Sequence, residues 1–297
     1  MADANWLLEF PQMERADLVA IRKVLDNGYR AFSRSYGDAV EAFFDPLLYF
    51  LVWLEKLLLG APWWLIILAF AGIVYGATRS LKMVGGVVVA LGLIGWFGMW
   101  DDTMKTLSII VVCTLLSIVI GIPIGIAMAR SDRVQAIVTP ILDIMQTMPA
   151  FVYLVPVVML LGIGKVPGVI SVIIYAIPPV IRLTNLGIRL VDKEVLEAAT
   201  AYGASKWQRL VEVQLPLAMP TIMAGINQTI MMALAMVVIA SMIGVAGLGQ
   251  PVLRSITNQY FTMGLFNGLA IVALAIIFDR VSQAYAKRSQ KHLKGYS

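Results

Sequence analysis

The chain has 297 residues, of which 60% are hydrophobic and 14% charged, with a formal net charge of +5. Soluble globular domains carry about 25% charged residues, so this composition excludes an ordinary soluble domain and places apolar runs of about 20 residues in a bilayer. The single cysteine, Cys113, excludes a disulfide framework, and the basic excess of a membrane protein is first an orientation signal rather than a footprint for nucleic acid.

The first ten residues lack a basic segment followed by an apolar one, so no cleavable signal peptide is expected. Leu18, Ile21, Val24 and Leu25 recur at helical spacing, which predicts an amphipathic helix on a surface. Segment 43–59 is strongly apolar but holds Asp45, Pro46, Glu55 and Lys56. Two adjacent charges are costly in hydrocarbon, which favours an interfacial helix over an eighth, poor span.

Seven better spans are predicted, at about 62–78, 83–100, 106–129, 137–163, 167–186, 218–245 and 262–278. One set of their ends carries Arg79, Lys82, Arg130, Arg133, Arg182, Arg189, Lys193, Lys206, Arg209, Arg280, Lys287, Arg288, Lys291 and Lys294. The opposite set carries Lys105, Lys165 and Arg254. The positive-inside rule puts the basic set in the cytoplasm, and with it the loop after the fifth span and the C-terminus. Trp63, Trp64, Trp96 and Trp100 then fall at the outer ends of the first two spans, as an interfacial belt would. Gly121 and Gly125 predict close packing between helices of one bundle, and Pro123, Pro140, Pro149, Pro156, Pro178 and Pro179 predict kinks.

The chain divides accordingly into an N-terminal amphipathic scaffold region (1–60), two accessory spans (61–102), a five-helix core (103–280) and a basic tail (281–297). Within the core, 187–217 is a long polar loop. The stretch from Glu197 through Ala198 and Ala199 starts as a good helix and loses it at Gly203, and Gly203-Ala204-Ser205 reads as a turn. Trp207 to Gln214 reads as a second short helix that Pro216 ends. The expected shape is an elbow, rigidly joined to a membrane helix, that another subunit can push.

The spacing Glu197-Ala198-Ala199, three residues, Gly203, nine residues, then Val213-x-Leu215-Pro216 resembles the signature loop of ABC-importer permeases. Asp143-x-x-Gln146-Thr147-x-Pro149-Ala150-Phe151-x-Tyr153 and Met236-Val237-Val238-Ile239-Ala240-Ser241, running on to Gly244, Gly247 and Gly249, look like the glycine betaine/proline betaine/choline subfamily. This resemblance implies an all-α integral membrane protein with the type I ABC importer transmembrane fold, in a bacterial inner membrane. It implies a homodimer of permeases, two cytoplasmic ATPase subunits that hold ATP and Mg, and a periplasmic or tethered binding protein. By the same resemblance, Glu197, Ala198, Ala199, Gly203, Ala204, Ser205, Leu215 and Pro216 form the coupling loop. The substrate implied is a quaternary amine or methylated osmolyte: glycine betaine, choline, proline betaine, carnitine or trimethylamine N-oxide.

The residues themselves agree with a subunit that does no chemistry of its own. No phosphate-binding G-x-x-x-x-G-K-[S/T] loop is present, and His292 is the only histidine, so no Cys/His metal cluster is expected. An ATP-independent carrier or channel for small organic cations is the competing class. Such carriers usually place ionisable groups at mid-membrane, where Asp143 is the one candidate, read here as a helix-end acid paired with Arg130 or Arg133 or capping a helix. Candidate path residues are Gln146, Thr147, Met148, Pro149, Tyr153, Tyr175, Asn227, Met231, Met232 and Met236, because aromatic and thioether surfaces suit a methylated cation. Against this, methionine in a membrane helix commonly packs, and Asn227 can bond across helices.

Overall fold

A computed structural model describes residues 12–291, with side chains as far as residue 285. The first ten residues, His292 and Lys294 lie outside the described residues. The chain is helical almost throughout. Helix α1 (Arg15–Gly60) is 46 residues long and runs unbroken through Pro46, about 69 Å at the usual helical rise. It thus joins the two N-terminal segments that the sequence suggested as separate. Leu51 is buried, and Leu47, Leu54 and Leu58 pack beside it on the main core. Lys165 Nζ lies 2.6 Å from Glu55 Oε2, so one of the two adjacent charges is neutralised by a partner 110 residues away.

The chain bends by 109° into α2 (Trp63–Thr78), followed by α3 (Leu81–Trp96), α4 (Trp100–Arg130), α5 (Asp132–Thr147) and α6 (Ala150–Leu161). Next come α7 (Lys165–Ala176), α8 (Pro178–Arg189), α9 (Lys193–Ala201), α10 (Lys206–Gln208) and α11 (Leu215–Ala240). Helices α12 (Gly249–Asn258) and α13 (Phe261–Lys291) complete the order.

Seven spans were expected. Among the described residues, four stretches are long and apolar enough to cross a bilayer: Trp100–Arg130, Lys165–Arg189, Lys206–Ile243 and Phe261–Tyr285. The number rises to six if each of two sharply bent helix pairs counts as one span, and α3 is a further, shorter apolar helix. Two physical causes account for the difference. Helices α2 and α3 have 16 residues each, about 24 Å, against a hydrocarbon core of about 30 Å. The predicted span 137–163 is broken, because α5 and α6 meet at 101°. Met148 stands before Pro149, and a residue before proline is driven out of the α region; Met148 is extended, with ψ 133°.

Helix α8 is gripped from two sides. On α4, a Cβ added at Gly121 would come within 2.5 Å of Val180, and one at Gly125 within 2.6 Å of Thr184 Cβ and 2.7 Å of the Ile181 carbonyl. On α11, a Cβ at Gly225 would approach the Pro179 carbonyl to 3.2 Å. Backbones therefore meet where side chains have been removed, the packing that Gly121 and Gly125 predicted. Helix α13 is held to α11 by polar groups. Asn227 Nδ2 donates to Asp279 Oδ1 at 2.8 Å, and Ser282 Oγ donates to Asn227 Oδ1 at 2.6 Å.

At the far end of α11, the glycine motif closes on α4. Thr106 Oγ1 donates to the Asp102 carbonyl and accepts from Leu248 N. Gly247 has φ +140°, and a Cβ there would lie 2.5 Å from Thr106 Oγ1.

Candidate coupling site

The polar loop folds as an elbow with a buried root and a bare tip. Asp192 caps the first arm, α9: its Oδ1 accepts from Glu194 N at 2.9 Å. Glu194 in the first turn suits the positive end of the helix dipole. The arm ends as Gly203 takes φ +84°, a left-handed conformation that costs other residues more. Ala204 N then donates back to the Ala199 carbonyl at 3.0 Å. Ser205 opens the second arm with a capping box: its Oγ accepts from Gln208 N, and Gln208 Oε1 accepts from Ser205 N.

Two contacts brace the elbow. Arg209 Nη1 donates to Thr200 Oγ1 at 2.8 Å, tying the second arm to the first. Leu210 is buried with Ile188, Ala218 and Ile222, tying the root to α8 and α11. The close approach of Gly187 to Thr221 and Ala218 adds to this joint.

The tip carries no buried residue on α9. Glu197, Ala198, Gly203 and Ser205 are exposed, Ala199 and Ala204 half-buried. Tyr202 is 93% exposed and Trp207 65% exposed. Small side chains let another surface reach the backbone, and the two aromatic rings offer anchors of the kind that dominate interfaces. Neither ring is among the coupling-loop residues that the resemblance implies, although their position on either side of the glycine turn is a usable signal. The sequence reading also missed the Thr200–Arg209 tie, which exists only once the turn has folded.

Pro216 does not end the second arm. Residues Lys206–Ile243 form one continuous helical stretch. The ladder widens into a π-helical turn at Arg209–Gln214, and Leu215 and Pro216 then open α11. Proline is accepted in a first helical turn, and the wide turn just before it absorbs the break in regular bonding. Leu215 is half-buried and Pro216 exposed.

The path candidates separate into three groups. Gln146, Thr147 and Pro149 are exposed around the break between α5 and α6, with Met148 half-buried at its centre. Thr147 Oγ1 is turned back onto the Asp143 and Ile144 carbonyls. Met231 is 42% exposed on α11. Tyr153 is buried, bonds the Met145 carbonyl and meets Tyr175 edge to face at 6.1 Å. Met232 is half-buried against the core, Met236 is wholly inside it, and Asn227 is taken up by Asp279 and Ser282. In this conformation, open space is available to the first group and to Met231.

Asp143 pairs with Arg182 of α8, not with Arg130 or Arg133. A second pair, Asp132 with Arg189 at 2.7 Å, joins the start of α5 to the end of α8. Helix α5 thus lies antiparallel to α8, which brings acids and bases 39 and 57 residues apart in sequence into register. Asp279 is another acid in an apolar helix; its carboxylate accepts from Asn227 on α11 and from Gln283 one turn along its own helix.

Residues 121–291 match the family model described as binding-protein-dependent transport system inner membrane component. The chain is 52% identical over 245 residues to the glycine betaine/proline betaine transport system permease protein ProW of Escherichia coli (strain K12), covering 82% of this chain and 69% of that one. It is 40% identical over 272 residues to the glycine betaine transport system permease protein OpuAB of Bacillus subtilis (strain 168), covering 91% and 96%. In fold it is similar to the MetNI methionine ABC transporter solved in inward facing conformations. The TM-score is 0.57 at 20% identity, over 62% of this chain and 93% of that one.

Proposed function

The chain belongs to the family of binding-protein-dependent transport system inner membrane components, and from that premise we propose that it is the permease subunit of an ATP-driven importer for glycine betaine or a closely related methylated amine. The observation that carries this reading is the elbow: a bare, aromatic-tipped projection whose root is locked into α8 and α11. A partner that moves such a tip must move the two helices attached to it. Identity of 52% to a permease named for glycine betaine and proline betaine supports the substrate class.

In this proposal two copies form the path, and each elbow enters a groove of a separate ATPase subunit that holds ATP and Mg. A periplasmic or tethered binding protein delivers the substrate. The elbow end and the end of α13 face the cytoplasm, as the distribution of Lys and Arg among helix ends supports. Recognition inside the path is weak and rests on Gln146, Met231 and the neighbouring α5–α6 break.

The test is reconstitution in liposomes with the co-encoded ATPase and binding protein, measuring uptake of labelled glycine betaine and release of phosphate. Uptake is expected only with ATP and all three components. Uptake by the permease alone along an ion gradient would instead establish an ATP-independent carrier and remove the coupling role of the elbow.

A further inference from the structure

A groove of about 290 Å³ lies between α2, α3 and α13. Val74, Gly86, Ala90, Ala273 and Ile277 make an apolar bed, and the one charged lining residue is Arg280. Small residues on α3 and α13 create the trough: a Cβ at Gly86 would meet nothing within 4 Å. Arg280 is exposed and has no carboxylate partner among the described residues. Its neighbour Asp279 is already bonded to Asn227 and Gln283. Arg79 directly follows α2 and Lys82 lies in the first turn of α3; both are exposed, and Val74 and Met83 near the same helix ends line the groove. No acidic residue occurs from position 57 to position 100. An apolar trough in a membrane face, with the exposed Arg280 in its lining and the adjacent Asp279 carboxylate already engaged by Asn227 and Gln283, matches a molecule with a hydrocarbon chain and an anionic head.

We propose that this groove binds an anionic phospholipid of the leaflet on the elbow side, with an acyl chain along Gly86 and Ala90 and its phosphate at Arg280. Water-exposed bases near a bilayer attract anionic heads, and each contributes appreciably to retention. The apolar bed adds contact that a free phosphate ion cannot make, so the site selects a lipid over a soluble anion. The bound lipid would join the accessory helices α2 and α3 to α13, which α11 holds through Asn227 and Asp279.

The experiment uses the assembled transporter in nanodiscs doped with photoactivatable phosphatidylglycerol or, in parallel, photoactivatable phosphatidylcholine, with labelled peptides identified by mass spectrometry. Phosphatidylglycerol is expected to label the segments around 83–90 and 273–281 more strongly than phosphatidylcholine. Arg280→Gln should lower phosphatidylglycerol labelling about fivefold, and Arg280→Lys should retain most of it. Gly86→Leu fills the trough and should suppress both probes while leaving thermal stability close to that of the parent. Equal labelling by the two lipids, unchanged by Arg280→Gln, would overturn the proposal. So would cross-links showing that a second protein copy covers the groove.

Discussion

Arg209 and Thr200 join the two arms of the elbow through a hydrogen bond of 2.8 Å from guanidinium to hydroxyl. The bond spans the turn at Gly203, so it fixes the angle between α9 and the helix that becomes α11. It lies at the surface, where such a contact contributes only about 0.5–1 kcal/mol to stability. Its value is geometric. Thr200→Val keeps the shape and deletes the acceptor. The variant should fold with a thermal midpoint near the parent's, yet take up less substrate per ATP hydrolysed. Arg209→Ala should have the same effect, and the double variant should be no worse than either single one. Additive losses would mean that the two residues act separately.

Gly203 offers a cleaner separation of backbone from packing. Its φ is +84° and a Cβ there would touch nothing, so a substitution meets strain without a clash. Gly203→Ala should cost about 1–2 kcal/mol at the turn, and Gly203→Asn less, since asparagine tolerates the left-handed region. Co-purification of the ATPase subunit with the permease should fall in the order Gly, Asn, Ala, Val.

At Gly125 the situation is reversed, because the backbone is ordinary helix and the space is full. Gly125→Ala would push a methyl against Thr184 and the Ile181 carbonyl, an overpacking cost of about 1–3 kcal/mol. Gly268 of α13 has nothing within 4 Å of an added Cβ. Gly268→Ala should therefore be neutral or slightly stabilising through helix propensity. Thermal denaturation of the two variants in detergent should show a lowered midpoint for the first alone.

These contrasts mark what the sequence made legible. The elbow, the apolar core helices and the glycine seam of α4 follow from local pattern: a helix former followed by glycine, apolar runs, and small residues four apart. The break at Met148–Pro149 did not, although the proline was in view. A proline can kink a continuous helix or begin a new one, and only the packing of α5 along α8 decides between them. Asp143 with Arg182, Asn227 with Asp279 and Glu55 with Lys165 were hidden for a related reason. Each joins helices remote in sequence, and periodicity within one helix carries no information about its neighbour. The unbroken run of α1 through Pro46 likewise depends on its contact with the bundle.

Met231 and Met236 are five residues apart on α11 and should answer differently to the same change. Met236 is fully buried and Met231 is 42% exposed. Met236→Ala should destabilise the protein by about 2–5 kcal/mol and reduce the yield of folded transporter. Met231→Ala should leave the thermal midpoint in place and raise the substrate concentration needed for half-maximal uptake. A Met231 variant that transports like the parent would remove that side chain from the path.

The π-helical turn at Arg209–Gln214 has a consequence for how elbow and span are clocked against each other. A wide turn holds one residue more than the ladder on either side, and one residue is about 100° of rotation around a helix axis. Tyr202, Trp207 and the exposed arm are therefore dialled to an azimuth that an uninterrupted helix would not give them. A single-residue deletion among residues 211–214 would leave the Thr200–Arg209 tie and the exposed tip chemically intact, yet aim them about a quarter-turn away.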